Sequence, residues 1–274
     1  MIPKKPVVLA PRGEFSRGAL SIKRVKKYAF LLAAKLLGLH RDLSWQASSA
    51  YEEEDIRSAM GNIAQKIMVA PDLLPKGKPF VLKPDTLSGD DTINALRIVF
   101  LSRISPKKNL DYALEVLKLI AVPVEFDIYG VIDDQVYWES CKLQMASLPG
   151  NVKVTYKGVL EHSKVHATLT EYDLFFLPTR GENFGHVIFE ALGAGVPVLI
   201  SDQTPWRDLE EKGVGWVRPL SVKDSFVQVI SEVASTSQAE REARRERVIK
   251  YASDVANNEN VIEANLELFK KALL

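Results

Sequence analysis

The spacing of apolar residues changes character about a third of the way along the chain. Before that point the elements are mixed. Lys5–Ala10 (KPVVLA) reads as a buried strand that Pro11-Arg12-Gly13 ends. Ile22–Leu37 has the period of a long helix, with a broad apolar face and lysines on the other side. Leu43–Ser48 reads as a strand. Ser49-Ala50-Tyr51-Glu52 pairs an N-cap with an acid three residues on, a capping-box signal for a helix to about Met60. Its four acids, Glu52 to Asp55, suit the positive end of the helix dipole. Lys66–Ala70 is a further short strand. Pro71–Asn94 holds prolines at 71, 75, 79 and 84 with Gly77 and Gly89, has little periodicity, and reads as an interdomain linker.

From Leu96 onward short unbroken apolar runs alternate with amphipathic ones. Strands are expected at Arg97–Ser102, Val124–Tyr129, Val152–Tyr156, Leu174–Leu177, Pro197–Ser201 and Trp216–Val217. Helices are expected at Asn109–Ile120, Tyr137–Ala146, Lys164–Thr170, Gly185–Gly193 and Trp206–Lys212, with one more capped by Ser221 and bearing Phe226, Val229, Ile230 and Val233. Such alternation indicates a parallel sheet covered on both faces. The tail is helical: Glu240–Tyr251 is laced with charge, and Ile262, Leu266, Phe269 and Leu273 line one face of a final helix. The expected fold is α/β: a partial N-terminal α/β domain with linker over 1–90, a Rossmann-like domain over 91–240, and helices over 241–274 that pack back across both.

Composition narrows the classes. Across 274 residues, 46% are hydrophobic and 26% charged, which argues against wholesale disorder. One cysteine, Cys141, excludes a disulfide-stapled scaffold and a Cys-rich zinc module; inside a helix it reads as a packing residue. The longest apolar stretch, Tyr28–Leu39, is interrupted by Lys35 and falls short of the roughly 18–20 residues a membrane span needs. It starts late and lacks a small-residue cleavage site, so it is not read as a signal peptide, and the expected compartment is cytoplasmic. The net charge of +1 conceals an asymmetry. Residues 1–41 carry ten Lys/Arg against Glu14 alone, a net of +9, leaving −8 for the rest. A basic block of this kind suits an anionic partner, such as a membrane surface, a nucleic acid or an acidic substrate, or is a solvated helix face. It has few interleaved aromatics and matches no nucleic-acid motif.

Ligands of open parallel sheets bind beyond the carboxyl ends of the strands. After the first strand of the second domain, Arg103 and Lys108 flank the start of a helix, where two cations and free amides suit a phosphate. Downstream, Glu182 lies in a loop that opens a helix, and Glu190 lies eight residues on, about two turns in. Gly181 and Gly185 let backbone approach a ligand closely. Two carboxylates, helix-end amides and two cations suit a molecule with hydroxyls at both ends and a diphosphate between them, such as a nucleoside-diphosphate sugar. Spacing alone leaves a second reading open, with Glu190 a satisfied helix residue and Glu182 a cap.

The wording of these segments resembles the donor-binding domain of family 4 glycosyltransferases, retaining enzymes of the GT-B fold. Their Glu-x7-Glu pair is matched by Glu182 and Glu190, their Gly-x-Pro-Val by Gly195-Val196-Pro197-Val198, and their phosphate-binding Arg and Lys, five apart, by Arg103 and Lys108. Ser201–Asp208 (SDQTPWRD) also looks like a segment of many members. The resemblance is dense over about residues 96–235. It implies that Glu182 contacts the donor sugar, Glu190 the ribose, and Arg103 and Lys108 the departing diphosphate. Backbone at Phe184, Gly185 and His186 would bind sugar or phosphate, and Lys157, Gly158 and Val159 would lie beside the base. No cofactor and no metal are implied beyond the donor substrate. Asn183 stands where the motif most often has Gly, and His186 where an aliphatic residue is frequent. The N-terminal third resembles only the last part of an acceptor domain, in Ala10-Pro11-Arg12-Gly13, the basic helix and Trp45–Ile56. The acceptor half therefore reads as truncated.

Other signals are discounted. Gly193-Ala194-Gly195 follows a helix and reads as its C-cap, not a dinucleotide fingerprint. His162 and His166 lack further metal ligands and read as a surface pair. Asp90–Asp91 and Asp133–Asp134 read as solvated turns. The expectation is a retaining hexosyltransferase of glycan or polysaccharide biosynthesis, acting on an unknown glycan or lipid-linked acceptor, peripheral at the inner membrane face. The alternative is a non-catalytic or split-enzyme subunit that holds nucleotide-sugar and needs a partner chain. A homo-oligomer or a partner chain is expected; nucleic acid is not.

Overall fold

The structure, a computed structural model, describes residues 5–21, 24–73 and 95–273. Ile22 and Lys23 of the expected basic helix, residues 74–94 of the expected linker, and Asp90–Asp91 lie outside the described residues. The chain divides into two compact units, one of residues 1–76, 181–184 and 257–274, the other of 77–180 and 185–256.

The first unit holds a parallel three-stranded sheet in the order β1 (Val8–Leu9), β2 (Ser44–Ala47), β3 (Lys66–Val69). β1 is shorter than expected, pairing only Val8 with Ser44 and Leu9 with Trp45. Pro6 and Pro11 flank it, and neither has an N–H to give a ladder. Helices α1 (Arg17–Ser21) and α2 (Arg24–Leu36) lie between β1 and β2, and α3 (Ala50–Met60) between β2 and β3. The core gathers Trp45, Ile56 and Met60 around Leu31, Ala47 and Ala64. Phe15 and His40 place their rings 6.1 and 5.7 Å from Trp45.

The broad apolar face expected of α2 does not pack as a whole. Leu31 and Ala34 are buried, whereas Val25, Tyr28, Leu32 and Leu36 are 83, 51, 60 and 78% exposed. These four lie within about 80° of one another on a 3.6-residue helix, so α2 carries a second apolar stripe directed at solvent. α3 forms half of its expected capping box: the Ser49 hydroxyl accepts the Glu52 N–H at 3.3 Å. The reciprocal bond is replaced, because the Glu52 carboxylate turns to Gly13 and Ser48.

The second unit runs β4 (Leu96–Leu101), α4 (Leu110–Leu117), β5 (Val124–Tyr129), α5 (Gln135–Met145), β6 (Val152–Gly158), α6 (His162–Leu169), β7 (Leu174–Leu177), α7 (His186–Gly193), β8 (Val198–Ser201), β9 (Gly215–Arg218), α8 (Lys223–Ser235) and α9 (Gln238–Ala256). Its six strands are all parallel, in the order β6-β5-β4-β7-β8-β9. This is the doubly wound, Rossmann-like sheet that the alternation implied, with buried central strands such as Leu174–Leu177.

Three local expectations are corrected. Trp206–Lys212 is not a helix; it makes one turn, with Lys212 N–H on the Asp208 carbonyl at 3.0 Å, before Gly213 turns the chain at φ +65°. Trp206 instead buries its ring, stacked 6.4 Å from Phe189 at 20°. α8 starts after Val222 without a side-chain cap, so Ser221 does not serve as one. Asp133 is exposed in a bend, as a solvated turn residue should be, but Asp134 is more than that. Asp134 caps α5 by accepting Tyr137 N–H at 3.0 Å, and Asp133 meets Arg103 at 3.2 Å. Cys141 is fully buried, as a packing residue should be.

The chain ends in α10 (Glu259–Leu273), which belongs to the first unit. Its buried residues are Asn265 and Leu268, and Asn265 Nδ2 donates to the Pro71 carbonyl at 2.8 Å. The predicted stripe of Ile262, Leu266, Phe269 and Leu273 faces away from this core, 39 to 74% exposed.

Candidate functional site

The strand order reverses between β4 and β7, and the loops leaving their carboxyl ends define the crevice where such sheets take ligands. The β4–α4 loop carries Arg103 and Lys108. Arg103 is exposed, with its guanidinium in an ion pair to Asp133, while Ile104 behind it is fully buried and anchors the loop. Lys108 is half-buried, its N–H bonded to the Ser105 carbonyl at 2.9 Å.

Two residues that sequence reasoning passed over stitch this loop to the next. Asn109 is 1% exposed and sits left-handed at φ +64° just before α4. Its Nδ2 donates to the Pro178 carbonyl at 2.8 Å, and its Oδ1 accepts from Arg180 Nε at 2.8 Å. Arg180 N–H also bonds the Lys107 carbonyl at 2.8 Å. The available signal was an Asn at a helix entry, a residue type enriched at positive φ. Farther back, the buried Ser201 hydroxyl donates to the Thr179 carbonyl and ties the end of β8 to the same loop.

α7 opens from Gly185, whose φ is +80°; a Cβ there would come within 2.8 Å of Ile188 Cδ1, so a larger residue is both strained and crowded. His186 is exposed at the first helical position. Glu190 follows one turn later, half-buried, with its carboxyl raised above the usual range by burial and pulled back by the nearby His162 and His186. His162 Nδ1 lies 3.7 Å from Glu190 Oε1, so His162 faces the acid rather than pairing with His166 at a metal site. Among the described residues no group of three or more His, Cys, Asp or Glu is placed to hold a metal. α7 ends in a Schellman motif, with Val196 N–H on the Ala191 carbonyl and Gly195 N–H on that of Leu192, as the C-cap reading required. At the end of β6, Gly158 has φ +82° and Val159 is 67% exposed.

Arg103, Lys108, Gly158, Val159, Gly185, His186 and Glu190 thus share the second unit, placed by the carboxyl-terminal loops of one sheet and the start of one helix. Glu182 and Phe184, both half-buried, belong with the first unit, as does Asn183 between them.

Residues 93–255 match the family described as glycosyl transferases group 1, well over half of the chain. The chain belongs to that family. The chain is also similar to a curated relative, an uncharacterized 41.2 kDa protein in the cps region of Klebsiella pneumoniae, 24% identical over 177 residues. That match covers 64% of this chain and 46% of the relative, so the chain matches about half of the relative's length. Among solved structures, Anabaena Alr3699/HepE in complex with UDP and glucose has a TM-score of 0.72 at 19% identity, covering 97% of this chain and 71% of that one. WaaG, a glycosyltransferase involved in lipopolysaccharide biosynthesis, has a TM-score of 0.61 at 14% identity, covering 80% and 64%. At these identities the likeness shows the fold, and it is the GT-B fold expected of a group 1 glycosyl transferase. No described helix is long and apolar enough to cross a membrane.

Proposed function

We propose that this chain binds a nucleoside-diphosphate sugar and transfers the sugar, with retention, to a glycan or lipid-linked acceptor in polysaccharide biosynthesis. The observation that carries the reading is the grouping of Arg103, Lys108, Gly185 and Glu190 around the point where the strand order reverses. In this reading Lys108 and the first amides of α7 take the diphosphate. Arg103 exchanges its exposed partner Asp133 for phosphate, an inexpensive exchange because exposed ion pairs are worth about 0–1 kcal/mol. Glu190 accepts from the ribose hydroxyls and Glu182 from those of the sugar. Phe184, Gly185 and His186 offer backbone, and Gly158 and Val159 border the base. These fixed cations and amides stabilise the departing diphosphate without a metal. UDP and glucose bound to the HepE structure support a donor of this class.

The exposed stripe of α2 favours one addition. Val25, Tyr28, Leu32 and Leu36 lie in a segment of charge +9, a combination suited to an anionic membrane face. The chain would then work peripherally at the cytoplasmic side, where a lipid-linked acceptor is held.

The deciding experiment is calorimetry of UDP-, GDP- and ADP-sugars against the purified chain, followed by a transfer assay. Tight binding of one donor over its free sugar is expected, and binding of none overturns the reading. Binding without transfer selects the alternative, a subunit that holds donor and needs a partner chain.

A further inference from the structure

Glu52 is a buried carboxylate, 5% exposed, with no part in the donor chemistry above. A carboxylate so placed needs several donors to replace water. It has them. Oε1 accepts the Gly13 N–H at 2.6 Å, and Oε2 accepts both the Ser48 N–H and the Ser48 hydroxyl at 2.8 Å. The last donor comes from a distant stretch of sequence. With its amide nitrogen toward the carboxylate, Asn183 Nδ2 lies 2.7 Å from Oε2 and 3.0 Å from Oε1. The reversed amide would set its oxygen against two carboxylate oxygens, so chemistry selects this orientation. Gly13, at φ +79°, completes the seat: a Cβ there would stand 3.1 Å from Asn183 Cβ.

We propose that Glu52, acting through Asn183, is a positioning residue for the loop 181–184 and so for the carboxylate of Glu182. This rests on the reading of Glu182 as the acid that meets the donor sugar. The tether is charge-assisted, and its acceptor is fixed by three other hydrogen bonds, so Asn183 has one place to dock. Glycine, the commonest residue at this point of the motif, offers no side chain for such a tether. The Asn of this chain therefore trades backbone freedom next to Glu182 for a fixed anchor.

The test uses Asn183→Gly, which removes the tether, and Asn183→Asp, which sets carboxylate against carboxylate. UDP-, GDP- and ADP-glucose are each compared with their free diphosphates, and amide hydrogen exchange is followed over 178–186. For the donor that wild type prefers, both variants are expected to lose about tenfold in sugar-nucleotide affinity while diphosphate affinity stays within about twofold, with the larger loss for Asp. Exchange at 181–184 is expected to quicken by a similar factor. Unchanged exchange in both variants overturns the tether, whatever the binding data show. Quickened exchange with an unchanged sugar-to-diphosphate ratio overturns the positioning role. Wild type that binds none of the three sugars removes the reading of Glu182 on which the role depends, even where the exchange result stands.

Discussion

His162 Nδ1 lies 3.7 Å from Glu190 Oε1, which sets the first residue of α6 against the acid on α7. Burial is the main influence on Glu190 and raises its pKa; the two nearby histidines, His162 and His186, oppose it.

This arrangement gives a pH dependence with a definite sign. If ionised Glu190 holds the ribose, donor affinity falls on acidification, and at a higher pH than for an ordinary carboxylate. His162→Ala removes a cation that lowers the pKa, so it moves the midpoint of that fall upward. Calorimetry at half-unit pH steps checks both, and a fall that comes no earlier than an ordinary carboxylate's refutes the role. Stability runs the other way. A carboxyl whose pKa is raised on folding binds more protons in the folded state, so its cost grows as pH rises through the folded value and is full above it. Glu190→Gln is expected to raise Tm by about 1–3 °C at pH 8 and by nothing measurable at pH 4, while donor affinity falls.

Lys108→Ala should weaken binding of the nucleotide-sugar more than that of the free nucleoside. A charge-assisted contact of about 1.5–3 kcal/mol corresponds to a loss of roughly tenfold to a hundredfold. Equal losses for both ligands would place Lys108 away from the phosphates.

Asn109 joins the two loops of the crevice from a buried, left-handed position. Asn109→Gly tolerates the backbone but abandons the Pro178 carbonyl and the Arg180 guanidinium, costing about 1–3 kcal/mol in thermal or denaturant unfolding. Asn109→Ala adds strain and should cost more. Asn109→Ala matching wild-type stability would show that the stitch carries no energy.

The α2 stripe yields a surface test. The chain is expected to sediment with phosphatidylglycerol vesicles, less so at high salt, and not with phosphatidylcholine alone. Leu32→Glu with Leu36→Glu should abolish this with Tm within about 1 °C, since both side chains are exposed. Wild type that ignores anionic vesicles refutes the membrane face. Loss of self-association in the same double variant would assign the stripe to a protein interface.

Much of the second unit was legible because each of its elements satisfies a local rule. Leu174–Leu177 lies where its apolar run placed it, since a strand buried on both faces has no polar position to blur its limits, and Val124–Tyr129 lies where its alternation of apolar and polar residues placed it, buried at every second position. Trp206–Lys212 failed because a period of apolar residues in seven positions does not say whether a Trp will wind into a helix or drop onto Phe189. In α2 and α10 the period was right and the burial was not. Amphipathicity marks a face, and only neighbouring elements decide whether that face is covered.

The sequence by itself determined the alternation of strands and helices, the asymmetry of charge, and the spacing of Arg103, Lys108, Glu182 and Glu190, because each is a relation among residues near in the chain or of known type. Tertiary structure alone decided the partners of Glu52, Asn109 and Asn183. A carboxylate at a helix start has a local partner in Ser49, and nothing nearby in the chain announces that Gly13 and Asn183 will outcompete it. Hydrogen-bond acceptors are satisfied by whichever donors folding brings within about 3 Å, and for the buried carboxylate of Glu52 the nearby Ser48 is joined by donors from segments 39 and 131 residues away.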